Sequence, residues 1–365
     1  MSNEYHIRLY EKNDEEKIAK LLDKVFNGWP RFDLPCSLVE HWRWKYTSTI
    51  FKNPIAVCLY DDEIVACDHE QLRKVKIGND LELCSNGCDS AVHPDHRRKG
   101  LYTKTHSIKE EALSQFGIGM SYSVTNNKIL IENSKKNNIP TFPNKLKLYM
   151  RINDVEKHVF QNESLRNQFI KKQGYKILSK VSTITNKFNN QKLDDYYIEK
   201  INQFDDKVDV FLNKISPHYN FIILRDKEYL NWRYCDQRGG EYLVNQIKEN
   251  NEVLGYNILR INKRNPKNPL GYIIDQVALP HRLDIIEALT QYAVEYFDSM
   301  EINDVSVWLV NNHPYEKIYK KIGFIDVRSD PYLTVIPFKN NASMKQFTDS
   351  PADKLHFQIG DCDWI

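Results

Sequence analysis

The residues best equipped for chemistry lie in one run: Ala91-Val92-His93-Pro94-Asp95-His96-Arg97-Arg98-Lys99-Gly100-Leu101-Tyr102-Thr103. This run joins a β-rich stretch to an amphipathic one, so it reads as a turn from a strand into a helix. A helix start presents unpaired N–H groups and the positive end of the helix dipole. Arg97, Arg98 and Lys99 add three cations beside it. Gly100 lets the backbone approach a ligand closely. The chemistry implied is capture of an anion, with a pyrophosphate as the natural guest.

The elements that must position this turn alternate between strands and helices. The first half reads as a strand at 5–8, a helix at 15–26, strands at 55–60 and 63–67, and further β runs at 72–77 and 81–92. Asp61-Asp62 and Gly78-Asn79-Asp80 sit where hairpin turns are needed. A helix at 101–115, a strand at 118–124 and a polar helical stretch to about 137 follow. The second half repeats the pattern: a helix at 206–215, strands at 241–247, 253–257 and 271–278, a helix at 282–297, a strand at 305–310, a helix at 313–322 and a strand from 324. The Asn-rich stretch 186–195 reads as linker.

The halves also share a landmark. His41-Trp42-Arg43-Trp44-Lys45-Tyr46 corresponds to Tyr229-Leu230-Asn231-Trp232-Arg233-Tyr234. Val65-Ala66 lies 21–22 residues after Trp44, and Leu254-Gly255 lies 22–23 after Trp232. An internal duplication follows from the agreement. Trp42, Trp44 and Trp232 read as core anchors.

Strand, Val-His-Pro, then Arg97-x-x-Gly100 at a helix start resembles the acetyl-CoA motif of the GNAT superfamily of acyltransferases. Tyr102 stands where that family usually has Gly or Ala. In the second half Asn312, Tyr319, Gly323 and Phe324 resemble the family's strand–Asn–Tyr–Gly-Phe segment. The second half's counterpart of the phosphate turn, Leu279-Pro280-His281-Arg282-Leu283, has no glycine and one Arg. Tyr319 therefore reads as a core tyrosine. The resemblance implies an α/β chain of two tandem GNAT-like domains, each a mixed twisted sheet flanked by helices, the second degenerate. The expected boundaries are 1–155 for the acetyl-CoA-binding domain, 156–196 for the linker and connecting strand, 197–345 for a domain shaping the acceptor site, and 346–365 for a tail.

The activity implied is transfer of an acetyl group from acetyl-CoA, as co-substrate, to a primary amine of a small molecule. An amino sugar or nucleotide-linked amino sugar is the first expectation. Cofactor contacts would come from Ala91, Val92, Arg97, Arg98, Lys99, Gly100, Leu101, Tyr102, Thr103 and Asn127, with Val92 N–H as oxyanion donor. An alkyl amine is mostly protonated at neutral pH, so a base must take its proton, directly or through water. Asp89, flanked by Cys88 and Ala91, is the first candidate, because desolvation there would raise its pKa. It should share a face with Ala91, while Ser90 and Val92 share the other. Glu70 and then His69 follow, and a water chain with no essential residue is a further option. The resemblance also admits a terminal carboxylate at Ile365, although a docked or loose tail is preferred.

Composition bounds the rest. The 365 residues fit about two domains. A hydrophobic share of 41% with 12% aromatics fills two cores and excludes a disordered chain. Fifty-one Lys+Arg against 49 Asp+Glu leaves +2, too little for a dedicated nucleic-acid binder. No apolar run is long enough to span a membrane. The early acids argue against a signal or transit peptide, and the seven scattered cysteines, with no CxxC, point to free thiols in the cytoplasm and to no metal site. A monomer or homodimer is expected. Two rivals remain: a peptidoglycan-bridge-type aminoacyltransferase, which needs no pyrophosphate turn, and a non-catalytic acyl-CoA sensor.

Overall fold

The computed structural model describes residues 4–161, 196–327 and 330–364. Most of the expected linker, including 186–195, and Ile365 lie outside the described residues. The strands, in chain order, are β1 (His6–Leu9), β2 (Ile55–Tyr60), β3 (Glu63–Ile77), β4 (Asp80–Val92), β5 (Met120–Thr125), β6 (Leu146–Ile152), β7 (Ile198–Ile201), β8 (Phe221–Ile223), β9 (Leu243–Glu249), β10 (Glu252–Asn262), β11 (Leu270–Ala278), β12 (Asp304–Val310), β13 (Ile325–Asp326) and β14 (Tyr332–Pro337). They form two mixed sheets. The first has the order β1-β2-β3-β4-β5-β14 with β8 on β3, and the second β13-β6-β12-β11-β10-β9-β7.

Turn chemistry sets the register of both sheets. Asp61 and Asp62 have φ of 48° and 62° between the paired residues Tyr60 and Glu63. Asn250 and Asn251 have φ of 48° and 67° between Glu249 and Glu252. Two left-handed residues in a two-residue loop make the hairpin whose twist matches the strands, and Asp and Asn tolerate it best. The same device in both halves is what a duplication leaves. β3 continues through Asp68–Gln71, where the sequence reading broke it into two runs. Those polar side chains are buried but bonded: Asp68 to Lys109, His69 to Trp42, Glu70 to Lys109, and Gln71 to the Lys45 carbonyl.

The repeated landmark packs against itself. Trp44 and Trp232 stack with centroids 5.1 Å apart. Each indole N–H donates to the other's backbone carbonyl, at 2.9 and 3.2 Å. Reciprocity of that kind marks a local two-fold relation between the halves.

Sheet membership cuts across the boundaries expected at 155 and 197. β6 runs antiparallel to β12 in the second sheet, through seven residue pairs. β14 runs antiparallel to β5 in the first, through six. Each half thus closes the other's open sheet edge, which would otherwise present unpaired backbone groups. The tail is docked as well: Leu355, Phe357, Ile359 and Cys362 are buried in the core shared by both sheets.

Candidate active site

The phosphate turn is built as its residues require. Pro94–His96 forms a single 3-10 turn, and Gly100 caps the helix Leu101–Leu113. Arg98 and Gly100 both adopt left-handed backbone, with φ of 62° and 71°. A Cβ placed on Gly100 would meet nothing within 4 Å, so its outer face is open. Arg97, Arg98 and Lys99 are exposed, and among the described residues none has a carboxylate within ion-pair distance. Arg97 Nε donates to the Val92 carbonyl at 3.3 Å, and Lys99 Nζ to Tyr5 Oη at 2.8 Å. Uncompensated cations around open helix N–H groups fit a diphosphate. Leu101 is buried beneath the turn, whereas Tyr102 is 51% exposed and stacks on His106 at 5.6 Å. Tyr102, at the position usually held by a small residue, leans away along the helix and leaves the turn open. Thr103 is exposed on the first turn. Asn127 is not part of this turn. It caps the helix Lys128–Lys136 by accepting from Ile129 N–H at 3.0 Å.

Beside the turn the sheet opens. β4 pairs with β5 only through Cys84–Met120, Ser85–Ser121 and Asn86–Tyr122. From Gly87 to Val92 its edge toward β5 has no strand partner among the described residues. His93 N–H donates to the Val65 carbonyl at 2.8 Å, which makes 65/93 a hydrogen-bonded pair. Alternation makes Ala66/Val92 a non-hydrogen-bonded pair, so the Val92 N–H points away from β3 and into the opening. Ala91 is buried on the sheet.

The register of β3 on β4 shifts between Cys67 and His69, which sets Asp89 and Ser90 against Asp68 alone. Asp89 takes a left-handed φ of 45° in this bulge. The expected sharing of faces holds: Asp89 turns toward the helix Leu38–Tyr46, against which Ala91 also packs, while Ser90 and Val92 turn toward the helix Leu101–Leu113. Asp89 Oδ2 accepts from Lys45 Nζ at 2.7 Å and from Tyr46 Oη at 2.6 Å. Burial pushes this carboxyl up, but the Lys45 ammonium, with the Tyr46 hydroxyl, pulls it below its ordinary value. The expectation of a raised Asp89 pKa is thus corrected: a cation shares its burial.

His69 is fully buried, and Trp42 Nε1 donates to its Nε2 at 3.1 Å. Its Nδ1–H then donates to the Asp89 carbonyl at 3.1 Å. Burial lowers it to about 4, so both nitrogens are committed and the ring is neutral. Glu70 is on the opposite face of β3, over the helix Leu101–Leu113. Its Oε1 lies 3.0 Å from Lys109 Nζ, and burial raises it to about 7 against that cation's pull. Asp68 joins Lys109 at 2.9 Å, His106 at 3.1 Å and the Ser90 hydroxyl. Ser90, Asp68 and His106 do not form a nucleophile triad, because the carboxylate and not the imidazole is central.

A further carboxylate escaped the sequence reading. Asp363 Oδ2 lies 3.4 Å from Lys45 Nζ, so two carboxylates share one buried ammonium. Burial raises Asp363, and Asp89 adds to that push against Lys45. Only the docked tail brings position 363 to position 45, and no local pattern announces it.

In the second sheet the corresponding opening is filled. β11 pairs with β12 only through Leu270–Ile273. Beyond them Gln276 N–H donates to Gln358 Oε1 at 2.7 Å, and Gln358 Nε2 to the Gln276 carbonyl at 3.1 Å. Arg282 is paired with Asp284 at 2.9 Å. Tyr319 is fully buried in the core.

Residues 6–122 match the model of the acetyltransferase (GNAT) domain. Solved structures extend the likeness over the whole chain. N-myristoyltransferase of Saccharomyces cerevisiae with bound myristoyl-CoA superposes at a TM-score of 0.63 and 10% identity, covering 97% of this chain and 83% of that one. A tandem GNAT protein from the clavulanic acid biosynthesis pathway does so at 0.55 and 14%, covering 93% and 100%. A probable N-acyltransferase of Enterococcus faecalis, of unknown function, does so at 0.57 and 11%, covering 92% and 71%. No curated protein matches. Residues 6–122 are thus similar to a GNAT acetyltransferase domain, and the chain as a whole has the fold of these two-domain structures.

Proposed function

We propose that the chain transfers an acetyl group from acetyl-CoA to a primary amine of a small molecule. The observation that carries this is the opening between β4 and β5 beside the Gly100 turn, which is available in the first sheet and filled in the second. Arg97, Arg98, Lys99 and the N–H groups at Gly100–Thr103 hold the diphosphate. The exposed edge of Ala91–Val92 pairs with the pantetheine arm, and Val92 N–H donates to the oxygen that gains charge. Asp363, raised and beside Lys45, takes the amine proton, while Asp89 stays ionised and positions Lys45. Glu70 and His69 are support residues in this scheme. A peptidoglycan-bridge-type transfer would leave the phosphate turn without use.

Amino sugars, nucleotide-linked ones included, belong to the acceptor class. Seven free cysteines support a reducing compartment, the cytoplasm. No helix among the described residues is long and apolar enough to cross a membrane. The test is release of free CoA thiol from acetyl-CoA with a mixed amine library. Amine-dependent release is expected. Thermal stabilisation by CoA with no release for any amine would instead mark a sensor.

A further inference from the structure

Arg73 sits on β3 on the same face as His69 and Gln71, turned toward the second half. It is 3% exposed. Its Nη1 donates to Tyr122 Oη at 3.0 Å and to the Asp361 carbonyl at 2.6 Å, and its Nη2 to Gln71 Oε1 at 2.9 Å. All three acceptors are neutral. Its Nε–H, also buried, has no partner among the described residues. Among the described residues no carboxylate lies within ion-pair distance of it. A buried guanidinium with no direct ion pair and with an idle donor is costly unless something else supplies an acceptor. Arg225 pairs directly with both Asp275 and Asp361, so the surplus negative charge of that cluster acts on Arg73 only from beyond contact distance.

Arg73 also lies where a ligand could reach it. Two narrow crevices both have Gln71, Arg73 and Trp232 in their walls. The larger reaches outward past Ile50 and Lys74. The smaller is lined by Lys45 and Asp363 as well as Trp44. Arg73 is thus in the wall between the outward crevice and the one that holds Asp363.

Resting on the N-acyl transfer reading, we propose that the acceptor is an amine that also carries a carboxylate, an amino acid or close analogue, and that Arg73 is the residue that selects it. The acceptor's carboxylate takes the idle Nε–H and the remaining Nη2 hydrogen as a bidentate pair. Its amine then faces Asp363 in the aromatic-walled end.

The test compares each amino acid with its decarboxylated amine on the unaltered protein: phenylalanine with phenethylamine, lysine with cadaverine, alanine with ethylamine. Phosphoethanolamine joins the panel as an amine with a different anion. Thiol release is the readout. At least one amino acid should exceed its amine by about 100-fold in kcat/KM, because the amine leaves a buried donor unpaired. In Arg73→Lys, which keeps the charge and loses the fork, KM for that amino acid should rise at least about tenfold while CoA affinity holds. Equal kcat/KM within each pair, or preference for phosphoethanolamine, overturns the inference and leaves acyl transfer standing. Absence of turnover with every amine overturns the transfer reading and this inference together.

Discussion

Replacing Lys45 by Met removes the one cation between two buried carboxylates. Lys45 is 5% exposed, with Asp89 Oδ2 at 2.7 Å and Asp363 Oδ2 at 3.4 Å. Removing one partner of a buried ion pair costs about 3–5 kcal/mol, because the orphaned charge has lost its water and its counter-ion. At about 2–4 °C per kcal/mol for a large domain, the melting temperature should fall by roughly 6–20 °C. The sign of the pH dependence follows from the same geometry. Without Lys45 both carboxyls have folded pKa values above their unfolded ones, so the folded state holds extra protons. Its stability then falls as pH rises through that window, and the deficit of Lys45→Met should be small near pH 4 and largest above pH 7. Adding Asp363→Asn to this background should recover part of the loss, since one unpaired charge is gone. Calorimetric melting between pH 4 and 9 measures all of this. A deficit under 2 °C at pH 8, or one that does not vary with pH, would refute the shared-cation account.

Glu70 gives a second pH-dependent expectation. Its carboxyl is raised by burial from 4.5 to about 7, so stability is lost as pH climbs through that interval. Glu70→Gln should therefore gain about 3 kcal/mol at pH 8.5 and almost nothing at pH 4.5 by thermal melting, with kcat changed less than about threefold. A large loss of kcat would make Glu70 the base instead. Asp363→Asn should lower kcat/KM by about 100-fold or more while CoA binding is retained, and unchanged turnover would remove Asp363 from the mechanism.

What the sequence made legible was local. The turn at 97–100 depends on a glycine, three adjacent cations and a following helix, all within a few residues, and it is built as read. The Asp61-Asp62 hairpin is of the same kind. The charged cluster was not legible, because Lys45 meets Asp89 only through the packing of a helix on β4, and Asp363 joins them only through the docked tail. Asp89 was legible as a buried acid, but its pKa direction was not, since that depends on a lysine 44 residues away. The exchange of β6 and β14 was hidden for a related reason: alternation along a strand says which side is buried, not which sheet it joins. The capping box of Ser37 and Glu40, which starts the helix holding Lys45 and Tyr46, was readable but went unread.

The most direct measurement is calorimetric titration of the protein and of Gly100→Val with CoA. The left-handed φ of 71° makes valine cost about 2 kcal/mol, while the open space around its Cβ avoids any clash within the fold. The variant should therefore remain folded, with a melting temperature lower by only a few degrees. The unaltered chain should take up one CoA, because the second opening is filled by the tail, and the variant should give no binding heat. Equal affinity in the two proteins, or two CoA molecules per chain, would contradict the account.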